Sequence, residues 1–143
     1  MTTTQVRRHA NLEAGLGKKG EVGLISSWTE EITLSTGGTA TNSSNNLPAN
    51  SLILGVAWRV TQAIATASDW VAGVSGDTDR FVNSAGSTLT LDSTGVGLNQ
   101  HATAGELVNT TATPLLITTT GTPTAGKIRL TVYYVAFTAP QSS

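Results

Sequence analysis

In the stretch GKIRLTVYYVAFTAP (residues 126–140), Ile128, Leu130, Val132, Tyr134 and Ala136 occupy every second position, and Pro140 ends the run. A period of two sets these side chains on one face of an extended strand; on a helix they would scatter around the axis. The same alternation in LPANSLILGVAWRVTQAI (47–64) places Leu52, Leu54, Val56, Trp58 and Val60 on a dry face, with Arg59 and Thr61 on the wet one. Shorter runs repeat the theme in WTEEITL (28–34), SDWVAGVSG (68–76), STLTLDSTG (87–95) and TPLLITTTG (113–121), with weaker candidates at 79–82 and 106–109. Glycine or a polar turn closes most of these segments. STGGTATNSSNN (35–46) is made of turn formers and is predicted to be a loop.

Short strands divided by turns, with no helical period anywhere, predict an all-β chain: an antiparallel β-sandwich or jelly roll. Composition agrees. Charged residues make up 12% of the 143, about half of the roughly 25% usual in soluble proteins. The length suits one domain with its own core. Residues 27–140 are expected to form the sandwich and 141–143 a C-terminal tail. Residues 1–26 read as an extended N-terminal arm: Arg7, Arg8, Lys18 and Lys19 are half of the eight basic residues, and Gly15, Gly17, Gly20 and Gly23 disfavour a helix. Fully extended, such an arm reaches roughly 85 Å.

The inventory for chemistry is thin. A net charge of −1 gives no global field toward nucleic acid or an anionic membrane. No cysteine is present, which removes disulfides and thiolate metal sites. His9 and His101 stand in loop-like sequence without metal-ligand spacing, and no GxSxG nucleophile elbow occurs. Asp77 and Asp79 in SGDTDRF offer either oxygen ligands for a hard cation or a turn in which Arg80 pairs with an acid. GLGKKG (15–20) neither follows a strand nor continues as a phosphate loop. The few aromatics fall mainly in strands, where Trp58 and Trp70 are expected to serve the core. No enzyme, no cofactor and no nucleic-acid or membrane partner is therefore expected. The start of the chain lacks the apolar stretch of a signal peptide, so the acceptor patterns at Asn42 and Asn109 carry little weight.

One face of the last strand should be wet and is not. It begins with Lys127, Arg129 and Thr131, then turns apolar at Tyr133, Val135 and Phe137. A half-buried strand keeps its solvent face polar, so these three residues are expected to lie in an oligomer interface or beneath another part of the chain.

The runs LPANSLILGVAWRVTQAI, DWVAGVSGDTDRFVNS and GKIRLTVYYVAFTAP together resemble the β-sandwich module of structural proteins in tailed bacteriophages. The resemblance spans about residues 45–140, with little that is specific between 84 and 125. It implies a virion structural protein made in the host cytoplasm. Because the chain is short, the implied role is that of a capsid cement or decoration protein on the outer surface of the head, like those of cyanophages. Its partners would be the major capsid protein and itself, as a trimer, with the basic arm (Arg7, Arg8, Lys18, Lys19) meeting the shell. The alternative is a fibre-tip or receptor-binding module whose loops contact a host surface.

Overall fold

The computed structural model describes residues 25–83, 89–98 and 108–137. Nine strands follow in order: β1 (Ile25–Thr33), β2 (Ala40–Leu47), β3 (Ser51–Ala65), β4 (Asp69–Val74), β5 (Asp77–Val82), β6 (Thr94–Leu98), β7 (Val108–Asn109), β8 (Thr113–Thr120) and β9 (Ala125–Ala136). Strands β1, β9, β3 and β6 lie side by side in one sheet, with β7 beside the start of β3; β2, β8, β4 and β5 form the other. Every pairing is antiparallel, and no helix occurs among the described residues. The chain is an antiparallel β-sandwich.

The core lies between the sheets because each strand turns its alternate apolar residues inward. From β9 come Ile128, Leu130 and Val132, from β3 Val56, Trp58 and Val60, and from β8 Leu115 and Ile117, all buried. Trp58 and Trp70 meet across the gap edge to face, with ring centroids 5.1 Å apart and planes at 88°. Such a contact adds about 1 kcal/mol to the burial of the two rings, and it fixes how β3 and β4 face each other.

The dry face expected on the long strand is not of one parity. Ser51 and Ile53 are buried, Leu54 is exposed, and the buried set resumes at Val56, Trp58 and Val60. Ile53 pairs with Tyr134 and Gly55 with Tyr133, so Leu54 is an extra residue in the ladder. This β-bulge shifts the alternation by one and places Leu54 on the solvent side. Leu52, half-buried, is likewise not in the core.

Two further segments differ from expectation. Residues 40–46, within the segment 35–46 predicted as loop, belong to strand β2, which pairs with β8 from Ala40↔Thr118 to Leu47↔Thr113. Asn42 pairs with Leu116 and Asn46 with Pro114, so five β2 residues stand against three of β8. Proline has no N–H to give this ladder, and the neighbouring Leu115 N–H instead donates to the Ser43 hydroxyl at 2.9 Å. In the segment 87–95, the strand begins only at Thr94. Residues 89–93 still bond to β3, Ile64 N–H to Leu89 O and Val60 N–H to Ser93 O, each at 2.9 Å. Asp92, in the left-handed region at φ 67°, turns the chain there. Ile25 and Ser26, read as the end of the arm, belong to β1.

Candidate functional site

The two outer faces of the sandwich differ sharply. No large apolar side chain is exposed on β2, β4, β5 or β8 among the described residues. On the five-stranded sheet, Ile25, Leu54, Val96, Leu98, Val108 and Tyr133 are exposed, as is Phe137 just beyond β9. Strand register gathers them at one end. Tyr133 pairs with Ser27 on one side and Gly55 on the other, and Gly55 pairs in turn with Leu98. Val135 lies between Ile25 and Leu52, and Leu52 pairs with Val108. Ile25, Leu54, Gly55, Val96, Leu98 and Tyr133 line a shallow groove of about 270 Å³.

Strand β6 shows why this face is unusual. Its sequence TGVGL puts glycine at the inward positions and Val96 and Leu98 at the outward ones, 69% and 61% exposed. The glycines are required. A Cβ on Gly95 would fall 2.4 Å from the Trp58 ring, and one on Gly97 would fall 1.7 Å from the Phe81 carbonyl oxygen. The strand therefore lies tightly against the core while turning its apolar side chains away from it, the reverse of a half-solvated strand.

The other end of the same face is charged. Arg129 bonds Glu31 at 3.2 Å, Lys127 stands 3.9 Å from the same carboxylate, and Arg59 reaches Asp92 at 2.6 Å. All five side chains are substantially exposed, so each pair stays open to exchange with other charges.

Of the residues the sequence singled out, Tyr133 and Phe137 are exposed at the apolar end, 41% and 47%, and Val135 is half-buried between its neighbours. Arg7, Arg8, Lys18 and Lys19 lie outside the described residues, as do His9 and His101. Asp77 and Arg80 form an ion pair at 3.3 Å beside the β4–β5 turn, where Gly76 takes φ 94°. Asp79 is exposed. Among the described residues no three His, Cys, Asp or Glu side chains converge as a metal-holding group. Trp70 is fully buried and Trp58 nearly so. Asn109 spends its amide on the carbonyls of Leu47, Pro48 and Thr111 at 3.1, 2.7 and 2.7 Å. The acceptor pattern there is structural. Ile25, Leu54, Val96 and Leu98 were missed as surface residues. The alternating glycines of TGVGL were the available signal for Val96 and Leu98; no signal marks the bulge that exposes Leu54.

No protein-family model matches the chain, and no curated protein matches it by sequence. Solved structures do. A chain in the capsid asymmetric unit of cyanophage Pam1 superposes with a TM-score of 0.53 at 21% identity, covering 80% of this chain and 86% of that one. A chain in the acidic stable capsid of Helicobacter pylori bacteriophage KHP30 superposes with a TM-score of 0.50 at 13% identity, covering 78% and 93%. The sandwich that the sequence resemblance to phage structural modules implied is thus a fold shared with chains of two phage capsid structures.

Proposed function

We propose that the protein is a virion structural protein of a tailed bacteriophage: a cement or decoration protein on the outer surface of the head, bound there as a homotrimer. One observation carries the reading. The sandwich matches, over most of both chains, chains taken from assembled phage capsids. The apolar end of the five-stranded sheet supports self-association through Tyr133, Val135 and Phe137.

The mechanism is one of avidity. Packaged DNA presses outward on a shell, and an oligomer that touches several capsomers opposes their separation, because its weak attachments act at high effective concentration. Residues 1–26 would supply those attachments, with Arg7, Arg8, Lys18 and Lys19 meeting acidic surface on the major capsid protein. Replacing all four by alanine would then lower occupancy on shells and flatten its salt dependence. The sandwich would act as a rigid body that presents the arm, with no cofactor.

The deciding experiment is to quantify the chain against the major shell protein in purified virions by mass spectrometry. A ratio near one to one is expected. A few copies per particle would mark a fibre or tail component instead, and absence from the virion would overturn the structural reading altogether.

A further inference from the structure

We propose that the outer face of the five-stranded sheet, centred on Leu54, Val96, Leu98 and Tyr133, is the surface on which a second copy of this chain docks. The proposal rests on the reading of the protein as a self-associating shell component and moves the centre of its interface away from the end of β9, onto β3 and β6.

Three observations favour a copy of the chain over another occupant. First, β6 turns its apolar residues outward where inward glycines are needed by Trp58 and Phe81. The outward residues, 69% and 61% exposed, thus add little to the packing of their own domain, and an apolar cover is the role left to them. Second, Ile25, Leu54, Val96, Leu98 and Tyr133 in the groove, with Val108 and Phe137 beside it, are all exposed on one face, a continuous apolar patch of the kind that stable complexes of roughly 800 Å² per partner are centred on.

Third, the charged band carries both signs. Lys127, Arg129 and Arg59 stand beside Glu31 and Asp92. A strongly acidic or basic partner would meet repulsion at some of these positions, whereas a second copy brings both signs and can match each charge with its opposite. The groove itself has no charged lining residue, so an apolar centre with a polar, ion-paired margin results, the usual anatomy of a protein interface.

The test is the mass of the full-length chain in solution by light scattering, for the natural sequence and for the double variant Val96→Lys/Leu98→Lys. The monomer is 14.7 kDa. The natural chain is expected at a multiple of that mass and the variant at 14.7 kDa with unchanged circular dichroism, since both side chains are exposed. A monomeric natural chain, as when its own N-terminal segment covers the face, overturns the proposal; so does a variant that stays assembled.

A second variant guards against a folding defect. The sequence has no cysteine, so Val96→Cys creates a unique thiol, expected to react with a thiol reagent at least tenfold more slowly than that of Thr120→Cys, on an exposed strand end of the other sheet. Equal rates overturn the proposal. Sedimentation with empty phage shells separates the two readings: a chain that self-associates through this face yet binds no shell upholds the face and overturns the virion role.

Discussion

Glu30 on β1 accepts hydrogen bonds from the main-chain amides of Ser44 at 2.7 Å and Asn45 at 2.9 Å, and a third from the Asn45 side chain at 2.9 Å. These two residues lie in the irregular stretch of β2 whose pairing with β8 is broken. Glu30 belongs to one sheet and β2 to the other, so the carboxylate joins the two sheets along an open edge of the sandwich. Burial alone would raise its pKa, but the amides of Ser44 and Asn45 outweigh it and hold the group below the usual carboxylate value.

A depressed folded-state pKa means that Glu30 adds stability above its unfolded pKa and that this share disappears as pH falls through the folded value. Glu30→Gln is therefore expected to lose about 1 kcal/mol at pH 7, after allowance for solvent at this edge. Urea titrations of both proteins from pH 7 down to pH 3 should show the gap close at the acid end. A gap that stays constant with pH would place the effect elsewhere than on the charge.

Gly97 and Val96 are adjacent on β6 and answer to different constraints. An added methyl at Gly97 would collide with the Phe81 carbonyl and one at Gly95 with the Trp58 ring. Neither neighbour is a flexible side-chain end. Gly97→Ala or Gly95→Ala is expected to cost about 2 to 3 kcal/mol as overpacking, while Val96→Thr at low protein concentration stays within about 0.5 kcal/mol. Denaturant midpoints of the three variants check this ordering; a harmless Gly97→Ala would mean that β6 can move away from β5.

Strand β9 was legible in the sequence because its inward residues, Ile128, Leu130 and Val132, keep an unbroken period of two. The apolar turn of its other face at Tyr133 and Phe137 was legible for the same reason. Strand β2 was not, because nearly all its residues are polar and its partners are distant: Ser43 replaces a ladder carbonyl for Leu115, and Glu30 takes the amides left free. Composition read those serines and asparagines as turn formers, and tertiary contacts made them a strand. The bulge at Leu54 was hidden because in SLILGV the even set, Leu52, Leu54 and Val56, is the more apolar, so the alternation runs across the bulge without a break.

Asn109 links three segments with one amide: the end of β2 through Leu47, the link to β3 through Pro48, and the approach to β8 through Thr111. Asn109→Ala leaves carbonyls in a buried setting without that donor and is expected to cost about 2 kcal/mol. Asn109→Asp should be worse near neutral pH, since a carboxylate brings negative charge to the same carbonyl oxygens. Thermal melts of the two variants test the order, and equal losses would reduce Asn109 to a space filler.

The bulge at Leu54 makes a sharper demand on the fold. Because Ile53 and Gly55 pair with the adjacent residues Tyr134 and Tyr133, deleting Leu54 restores an ordinary ladder and leaves Ile53, Val56, Trp58 and Val60 all on the inner face. That deletion is expected to fold, with a loss of about 1 to 2 kcal/mol. Ala57 is half-buried in a regular part of the same strand, between Val56↔Val132 and Trp58↔Leu130. Deleting it shifts one half of β3 against β9, so that either the buried Trp58 and Val60 or the buried Ile53 and Val56 must leave the core. Circular dichroism and urea titration of the two single-residue deletions should find the first cooperative and the second unfolded. If both unfold, Leu54 is required for more than the path of the strand; if both fold, the register of β3 against β9 is set by contacts other than its buried face.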